Sequence, residues 1–349
     1  MTMQINGRTI GLTERPYLIA EMSGNHNHSL DRALEIVTAA AQSGADAIKL
    51  QTYTADTITL DVDMPGFVIE DEKSLWAGRR LYDLYEEAHT PWDWHAPIME
   101  HAKSLGIDCF SSPFDATAVD FLEDLDVPAY KIASFESIDL PLIRKVAKTG
   151  KPMIISTGMA SVVEIGEALA AARDAGNDQI CILKCTSTYP ATPENTNIRT
   201  IPNMRDAFGC EVGLSDHTMG TGVSVAATAL GAVLIEKHFT LARADGGVDS
   251  AFSLEPSELR ALREETERAW QSLGQVVYGG TKAESGSRQF RRSLYVAEDM
   301  QEGDAFSEAN LRSVRPGYGL APKHFDVLLG KRVNRALPKG TPVSWDVIA

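Results

Sequence analysis

The chain has 349 residues, of which 44% are hydrophobic and 23% are charged, a composition typical of a soluble globular protein. This length suffices for one large domain with a full core and a small appended one. No apolar run is long enough to cross a bilayer, and the first residues lack the pattern of a signal peptide, so we expect a cytoplasmic protein without a membrane partner. The net charge of −15 argues against nucleic acid as a partner.

Up to residue 273, short apolar strand patterns alternate with helical patterns. The predicted strands are 17–24, 45–52, 108–115, 129–136, 152–159, 179–187, 211–218 and 233–240. The predicted helices are 30–43, 92–105, 118–125, 140–149, 162–175, 203–208, 222–231 and 256–273. Several of them end at a glycine, the usual left-handed stop. Eight such units predict a (β/α)8 TIM barrel over residues 1–274, and a doubly wound open sheet is the competing architecture.

Polar residues recur where the predicted strands end, which favours the barrel, because barrel active sites lie on that face. The strand ends carry Glu21 and Asn25-His26-Asn27; Lys49 and Gln51; Ser111, Ser112 and Asp115; Lys131, Ser134 and Glu136; Ser156 and Thr157; Lys184, Ser187 and Tyr189; Ser215 and His217; and Glu236 and His238. We interpret this recurrence as an active site.

Two histidines end consecutive predicted strands, so His217 and His238 could hold a divalent metal. By spacing alone the indication is weak, since two imidazoles are fewer than the three protein ligands usual in catalytic zinc sites. Two satisfied histidines at the rim of a barrel are the structural alternative. Neutral imidazoles do suit a borderline divalent cation with positions open to water and substrate.

Lysines and serine hydroxyls at neighbouring strand ends suit a phosphate and a carboxylate. Glu21, Glu136 and Asp249 then remain for hydrogen bonds to polyols or for proton transfer. A lysine could instead form a Schiff base with a carbonyl substrate, as in many aldolases. Lys49, Lys131 and Lys184 are all eligible for this role, so an aldolase is an open alternative at this point.

Outside the repeating units, the connection 61–91 is long and carries Phe67, Trp76, Tyr82 and Tyr85. Such a segment is an ordered cover for the site or packs onto the barrel.

Residues 275–292 are rich in Gly, Ser and charge and are predicted to be a linker. A small module follows at 293–349. The last 63 residues, from 287, carry ten basic and seven acidic side chains, so a slightly basic tail follows an acidic body. The four cysteines form no CxxC pair and are interpreted as buried free thiols rather than a redox or metal site.

Several independent motifs resemble the sialic acid synthase family of nonulosonate synthases. They are AEMSGNHN at 20–27, KLQ at 49–51, YKI at 130–132, STGM at 156–159, SDHT at 215–218 and EKHF at 236–239. The tail, with NLRSVRPG at 310–317 and KGTP at 339–342, resembles the family's C-terminal antifreeze-like (SAF) domain. Within the family, Met22-Ser23 and the run LQTYTAD at 50–56 most resemble the pseudaminic acid synthase branch; sialic acid synthases typically carry Ile-Gly in the first run.

The resemblance implies a metal-dependent condensation of phosphoenolpyruvate with an open-chain N-acetylated amino sugar and water, releasing phosphate by C–O cleavage. For the pseudaminic acid branch the sugar is 2,4-diacetamido-2,4,6-trideoxy-L-altrose. N-acetylneuraminate or legionaminate precursors are the alternatives within the family, and a Schiff-base aldolase or a non-enzymatic carbohydrate-binding protein are the alternatives outside it. The metal, of the Mn²⁺, Mg²⁺ or Co²⁺ type, is implied to sit on His217 and His238 and to act as a Lewis acid.

The resemblance also assigns the remaining site residues by motif. Glu136 is implied in proton transfer, and Glu21, Gln51, Tyr189 and Asp249 are implied to face the sugar or a water on the metal. Phosphoenolpyruvate is implied to bind Lys49, Lys131, Ser134, Ser156, Ser187 and Ser215, where Ser187 replaces an asparagine of some relatives. A domain-swapped homodimer is implied as well, with Arg315 of the SAF domain reaching the partner subunit's sugar site.

Overall fold

The computed structural model describes residues 3–72 and 74–349. The chain divides into two compact units, one ending at Leu273 and the other spanning Gly274–Ala349. In the described ranges, no helix combines the length and the hydropathy that a transmembrane span requires.

Eight parallel strands of the first unit form a closed barrel in which each strand pairs with its neighbours in chain order and the last pairs with the first. The eight predicted strands are therefore confirmed, most of them ending a few residues earlier, and the open sheet is wrong. The strands are β3 (Tyr17–Glu21), β4 (Ala47–Thr52), β5 (Asp108–Pro113), β6 (Tyr130–Ile132), β7 (Met153–Ser156), β8 (Ile180–Cys185), β9 (Glu211–Ser215) and β10 (Leu234–His238).

Helices surround the barrel at the positions that the periodicity predicts. They are α1 (Leu30–Gln42), α4 (His95–Ser104), α5 (Ala116–Asp124), α6 (Leu140–Ala147), α7 (Val162–Asp174), α8 (Thr200–Phe208), α9 (Gly222–Ala229) and α10 (Pro256–Ser272). The capping box is present at the start of α7, where Ser161 and Glu164 satisfy each other's backbone N–H groups.

The long connection after β4 contains two helices that the sequence reasoning did not predict, α2 (Ala55–Ile58) and α3 (Leu81–Ala88). Between them, an antiparallel bridge joins Val68 to Arg80. Residues 92–94 form a single 3-10 turn that leads into α4. The described residues of this connection, 61–72 and 74–91, thus include regular structure.

Buried side chains pack together inside the barrel. At Gly213 of β9 a Cβ would lie 2.4 Å from the carbonyl oxygen of Leu234 and 2.7 Å from the Leu183 side chain. A glycine is needed there because those neighbours already occupy the volume of a side chain.

The opposite end of the barrel is closed by a hairpin, β1 (Met3–Ile5) and β2 (Arg8–Ile10), which the sequence reasoning did not predict. Next to it, Asp46 forms ion pairs with Arg8, Arg15 and Arg263 and accepts a hydrogen bond from the backbone N–H of Leu18 at 2.8 Å. The buried carboxylate of Asp46 therefore links the β1–β2 hairpin, strand β3 and helix α10.

The second unit has a small core of its own. Its strands β11 (Ser293–Val296) and β12 (Leu311–Val314) are antiparallel, and α11 (Phe325–Leu328) is a single turn. The core contains Leu294, Val296, Met300, Phe306, Leu311, Leu328, Val333, Leu337, Val343 and Val347. Residues 282–290, within the predicted linker, form consecutive 3-10 turns and are exposed.

Candidate active site

The candidate residues meet at the carboxyl end of the barrel because the register aligns them. Glu21 of β3 stands opposite Lys49 of β4 on one side and His238 of β10 on the other. Ser215 of β9 stands opposite Glu236. Since side chains alternate along a strand, these residues face the barrel axis together.

Two lysines and two glutamates form a buried network at the centre of this end. Lys49 pairs with Glu21, and Lys131 Nζ lies 3.3 Å from Glu236 Oε1. Lys49 Nζ is also 3.9 Å from Glu236 Oε2. None of the four side chains exposes more than 6% of its surface. The network places two ammonium groups in a site from which water is largely excluded.

Burial by itself acts in opposite directions on the pKa values of Glu21 and Lys49, because one group is an acid and the other a base. It raises the pKa of Glu21 to about 7, with Lys49 offsetting part of the effect. For Lys49, burial favours the neutral amine, but Glu21 and Glu236 outweigh it and raise the pKa above the ordinary lysine value. Lys49 therefore holds its proton, whereas a Schiff base requires a neutral amine.

Lys184, the third lysine eligible for a Schiff base, lies on the other face of its strand. Its Nζ donates to the carbonyl oxygen of Cys185 at 2.7 Å and to Thr186 Oγ1 at 3.2 Å. It takes no part in the buried network.

A set of hydroxyl groups surrounds a small cradle beside the lysines. The backbone N–H of Gly158 donates to Ser134 Oγ at 3.2 Å. A Cβ on Gly158 would lie 2.1 Å from Ser187 Oγ and 2.8 Å from Ser134 Oγ. Ser156 Oγ is buried without a hydrogen-bond partner among the described residues. Close hydroxyl groups and an unpartnered donor are what an oxyanion ligand would satisfy.

Glu136 lies in the loop after β6, and its Oε2 is buried without a partner in the described part of the chain. Burial raises its pKa to about 7, although Lys131 opposes the shift. From α3, Tyr85 faces it closely enough for the Glu136 charge to raise the tyrosine pKa further, beyond the effect of burial. Glu136 is thus poised to exchange a proton near neutral pH.

His217 and His238 lie side by side, with ring centroids 5.4 Å apart. His217 Nδ1 donates to the carbonyl oxygen of Thr186 at 2.9 Å, which leaves Nε2 as a free lone pair in the neutral ring. Among the described residues, His238 Nδ1 is buried without a hydrogen-bond partner, and it lies 3.8 Å from Asp249 Oδ2. Burial lowers the pKa of His238 well below its usual value. For His217 burial also acts downward, but Cys185 and the Thr186 carbonyl outweigh it and raise the pKa.

These rings fit a divalent cation as a pair of nitrogen donors. Within residues 3–72 and 74–349, no group of three or more His, Cys, Asp or Glu side chains is arranged to hold a metal. An ion held by this pair would therefore complete its coordination with water or substrate oxygens, as catalytic ions do.

Aromatic side chains line the site next to the histidines. Tyr189 lies 4.5 Å from His217 and 5.4 Å from Phe252, and Phe252 lies 4.9 Å from His238, between ring centroids. Trp76, from the connection after β4, lies 5.9 Å from Tyr189.

A second buried ion pair lies on the outer side of the barrel wall, beside the strands β9 and β10 that lead to the two histidines. Asp216 and Lys237 alternate with the inward residues of their strands, and both are at most 1% exposed. Lys237 Nζ donates to Asp216 Oδ2 at 3.1 Å and to the carbonyl oxygens of Thr218 at 2.6 Å and Gly220 at 2.8 Å. Asp216 also accepts from Thr218 and Ser224. This clamp fixes the turn that carries His217 against the strand that carries His238.

Comparison with known proteins agrees with this geometry. The NeuB family model matches residues 36–278, and the SAF domain model matches residues 291–349. The chain belongs to the NeuB family.

Among its relatives, pseudaminic acid synthase of Campylobacter jejuni is 44% identical over 94% of this chain and 95% of its own length. N,N'-diacetyllegionaminic acid synthase of the same species is 36% identical over 91% of this chain and 96% of its own length. Spore coat polysaccharide biosynthesis protein SpsE of Bacillus subtilis has a solved structure with a TM-score of 0.68 and 33% identity, covering 100% of this chain and 99% of that one. Its similarity extends over both units of this NeuB-family chain.

Most of the residues that the sequence predicted for the site meet in the NeuB barrel. The network, the cradle, the histidines and the aromatic cluster bring together Glu21, Lys49, Lys131, Ser134, Ser156, Ser187, Tyr189, Ser215, His217, His238 and Asp249. Gln51 joins them by donating to Glu21 Oε1 at 2.9 Å. Arg315 belongs to the other unit, where it is exposed.

Other site residues were missed by the sequence reasoning. Ser23 donates to Asp249 Oδ2, and Cys185 Sγ lies 3.6 Å from Ser187 Oγ and 3.9 Å from His217 Nδ1. Cys185 lies two residues before Ser187, so the period of a strand would have placed both on one face. Trp76 lies far from any strand end; the sequence placed it in a connection that either covers the site or packs onto the barrel, and the structure brings it 5.9 Å from Tyr189.

The clamp generates a prediction about stability. Lys237→Met leaves the Asp216 carboxylate buried without its cation, which we expect to lower the free energy of unfolding by about 3–5 kcal/mol. The double variant Asp216→Asn with Lys237→Met removes both charges and should recover most of that loss. Urea unfolding measures the three proteins.

The matched control is Lys145→Met, which removes a lysine whose ion pair with Asp120 is exposed. Its expected cost is about 1 kcal/mol or less. If Lys237→Met costs no more than this control, the clamp does not stabilise the turn.

Proposed function

We propose that this NeuB-family chain condenses phosphoenolpyruvate with 2,4-diacetamido-2,4,6-trideoxy-L-altrose and water, giving pseudaminic acid and phosphate. The observation that carries the proposal is the buried pair Lys49 and Lys131 beside a serine-lined cradle and two adjacent imidazoles. Such a site suits an anion with both a phosphate and a carboxylate next to a carbonyl to be polarised. The 44% identity to a pseudaminic acid synthase supports the choice of sugar.

In this proposal Lys49 and Lys131 neutralise phosphoenolpyruvate, and Ser134, Ser156, Ser187 and Ser215 donate to its oxygens. Ion pairs with Glu21 and Glu236 hold both lysine side chains in place before the substrate arrives. Because the groups are already fixed, little reorganisation accompanies binding. The bare Cα of Gly158 lets the hydroxyl groups of Ser134 and Ser187 approach the backbone closely, which keeps both in the cradle.

His217 and His238 would hold a divalent ion such as Mn²⁺, Mg²⁺ or Co²⁺. When bound, such an ion supplies Lewis-acid polarisation of the aldehyde oxygen of the sugar. The fit rests on the free Nε2 of His217 and on the buried, unpartnered Nδ1 of His238 among the described residues.

The chain's own side chains account for the remaining steps. C3 of the enol attacks the aldehyde carbon, and the new alkoxide takes a proton on the side that Glu21 and Asp249 face. C2, now oxocarbenium-like, accepts a water oxygen, and Glu136 takes the proton of that water. The C2 hydroxyl left by the water then forms the C2=O double bond, its proton passes to the departing phosphate oxygen, and the C2–O bond to phosphate breaks. Gln51 and Tyr189 orient the sugar.

One specific observation supports a second candidate for the acceptor sugar. The 36% identity to a legionaminic acid synthase favours a different N-acetyl amino sugar as the runner-up substrate, with N-acetylneuraminate synthesis as a further case. The Schiff-base aldolase is disfavoured because Lys49 is held protonated in an ion pair. A non-enzymatic carbohydrate-binding role leaves the buried lysines and the proton-exchanging Glu136 without a use.

The test is phosphate release from phosphoenolpyruvate with each acceptor, with and without EDTA. We expect release with the trideoxy altrose, loss of release after EDTA treatment and recovery on addition of Mn²⁺. His217→Ala and His238→Ala should each lower kcat by about 10³-fold, because charge stabilisation at a carbonyl is worth several kcal/mol.

Release with N-acetylmannosamine instead would assign a sialic acid synthase. Phosphate release that EDTA leaves unchanged would contradict the proposed requirement for a divalent metal ion. Borohydride trapping of a pyruvate adduct would support the aldolase in its place.

Glu136 gives a prediction on pH. Because its pKa is raised to about 7, the ionised base is present above pH 7 and is lost as the pH falls below 7. The kcat/KM of the wild type, which reports the free protein, should therefore fall about tenfold per pH unit below that point. Glu136→Gln should lower kcat by about 10²–10⁴-fold and abolish this limb of the profile. Glu167→Gln, on the exposed face of α7, is the control. An unchanged acid limb in Glu136→Gln would refute the assignment.

The proposal includes a domain-swapped homodimer in which Arg315 contacts the sugar bound by the partner subunit. Two observations support an intersubunit contact. Five apolar side chains are 60–73% exposed in the loops after β6 and β7 and at the start of α7: Phe135, Ile138, Met159, Val162 and Val163. In the other unit, Val276, Val277, Tyr278 and Phe290 are 58–93% exposed. A second copy would bury both sets.

Mixing two inactive variants tests the swap. In a swapped dimer of Arg315→Ala with His217→Ala, one site has both defects and the other has none. After unfolding and refolding together, about one quarter of the wild-type activity should return. A mixture that stays inactive while each variant remains dimeric would rule out the swap.

A further inference from the structure

We propose that Trp76 forms the apolar wall of the acceptor subsite and selects sugars that carry a methyl group at C6 over sugars that carry a hydroxyl group there. The inference rests on the proposed function, since it concerns the sugar bound at that site. It assigns a role to the connection between α2 and α3.

The segment is held over the site by specific contacts. The antiparallel bridge between Val68 and Arg80 closes its base, and Gly78 N–H donates to Ile69 O at 2.8 Å. At its tip, the indole N–H of Trp76 donates to the carbonyl oxygen of Val248 at 3.0 Å. Val248 precedes Asp249, which faces the sugar side of the site, so the Trp76 ring is fixed to the rim rather than free in solvent.

The ring extends the aromatic cluster away from the histidines. From His217 the row passes through Tyr189, at 4.5 Å, to Trp76, a further 5.9 Å away. Phe252 lies behind this row and is fully buried, whereas Tyr189 and Trp76 are half-buried. An acceptor whose aldehyde lies at the histidines would therefore have the far end of its carbon chain beside Trp76.

The hydrogen bond of the Trp76 indole determines which part of the side chain can contact a sugar. Because the indole N–H is already donated to Val248, the part of Trp76 that remains available is its apolar face. A methyl group gains by covering this face, whereas a hydroxyl group loses water there without receiving a partner. The trideoxy altrose carries a methyl at C6 and two acetamido groups, whereas N-acetylmannosamine carries a hydroxyl at C6.

Steady-state phosphate release with both acceptors tests the wall in Trp76→Ala and Trp76→Phe. Trp76→Ala should raise KM for the trideoxy sugar about tenfold and leave KM for phosphoenolpyruvate within about twofold. The ratio of kcat/KM for the trideoxy sugar to kcat/KM for N-acetylmannosamine should fall about tenfold, which is the effect of losing one apolar contact. Trp76→Phe should retain most of the preference.

The control is Trp92→Phe, since Trp92 also donates its indole N–H to a carbonyl, that of Tyr53 at 3.2 Å, but stacks on Phe121. It should change neither KM. Unchanged discrimination in Trp76→Ala, or equal losses with both sugars and with phosphoenolpyruvate, would overturn the inference.

A binding measurement separates this inference from the proposed function. The fluorescence of the wild type minus that of Trp76→Phe isolates the Trp76 signal, which titration with the trideoxy sugar should change more than titration with N-acetylmannosamine. If the wild type consumes no phosphoenolpyruvate with either sugar, the proposed function fails. If the Trp76 signal responds to neither sugar, the wall fails.

Discussion

The site depends on charge balance in a place that water hardly reaches. Lys49 keeps its proton at the carboxyl end of the barrel because Glu21 and Glu236 lie against it, and Glu236 also pairs with Lys131. Unpaired, Lys49 would carry a desolvation penalty that favours its neutral form. The two glutamates thus keep an anion site intact in the free protein, and one of them is left with a carboxyl group that titrates near neutrality.

The period of two along β9 and β10 separates two tasks. Inward residues of Ser215–His217 and Glu236–His238 face the site, while the residue between each pair points outward into the Asp216–Lys237 clamp. The same six positions therefore supply both the reactive groups and the ion pair that fixes their backbone. A change of register by one residue would exchange the two sets.

The barrel and much of its site could be predicted from the sequence because both depend on local patterns. Strand, helix and polar strand end recur in fixed order, and closure of the barrel brings the ends together without further information. What could not be predicted depends on contacts between distant segments. Trp76 reaches the rim through a bond to Val248, 172 residues later, and the role of Gly158 appears only when Ser134 and Ser187 approach it from two other loops. The β1–β2 hairpin is too short for periodicity to reveal.

The convergence of arginines on Asp46 has a consequence for synthesis of the chain. The hairpin and first barrel strand are made early, but Arg263, which completes the cluster, lies 217 residues after Asp46 and near the end of the barrel unit. Closure of the sheet likewise waits for β10, which pairs with β3. The emerging chain thus exposes two unpaired strand edges until almost the whole first unit has left the ribosome, and this is the stage at which it is most exposed to aggregation and most dependent on chaperones.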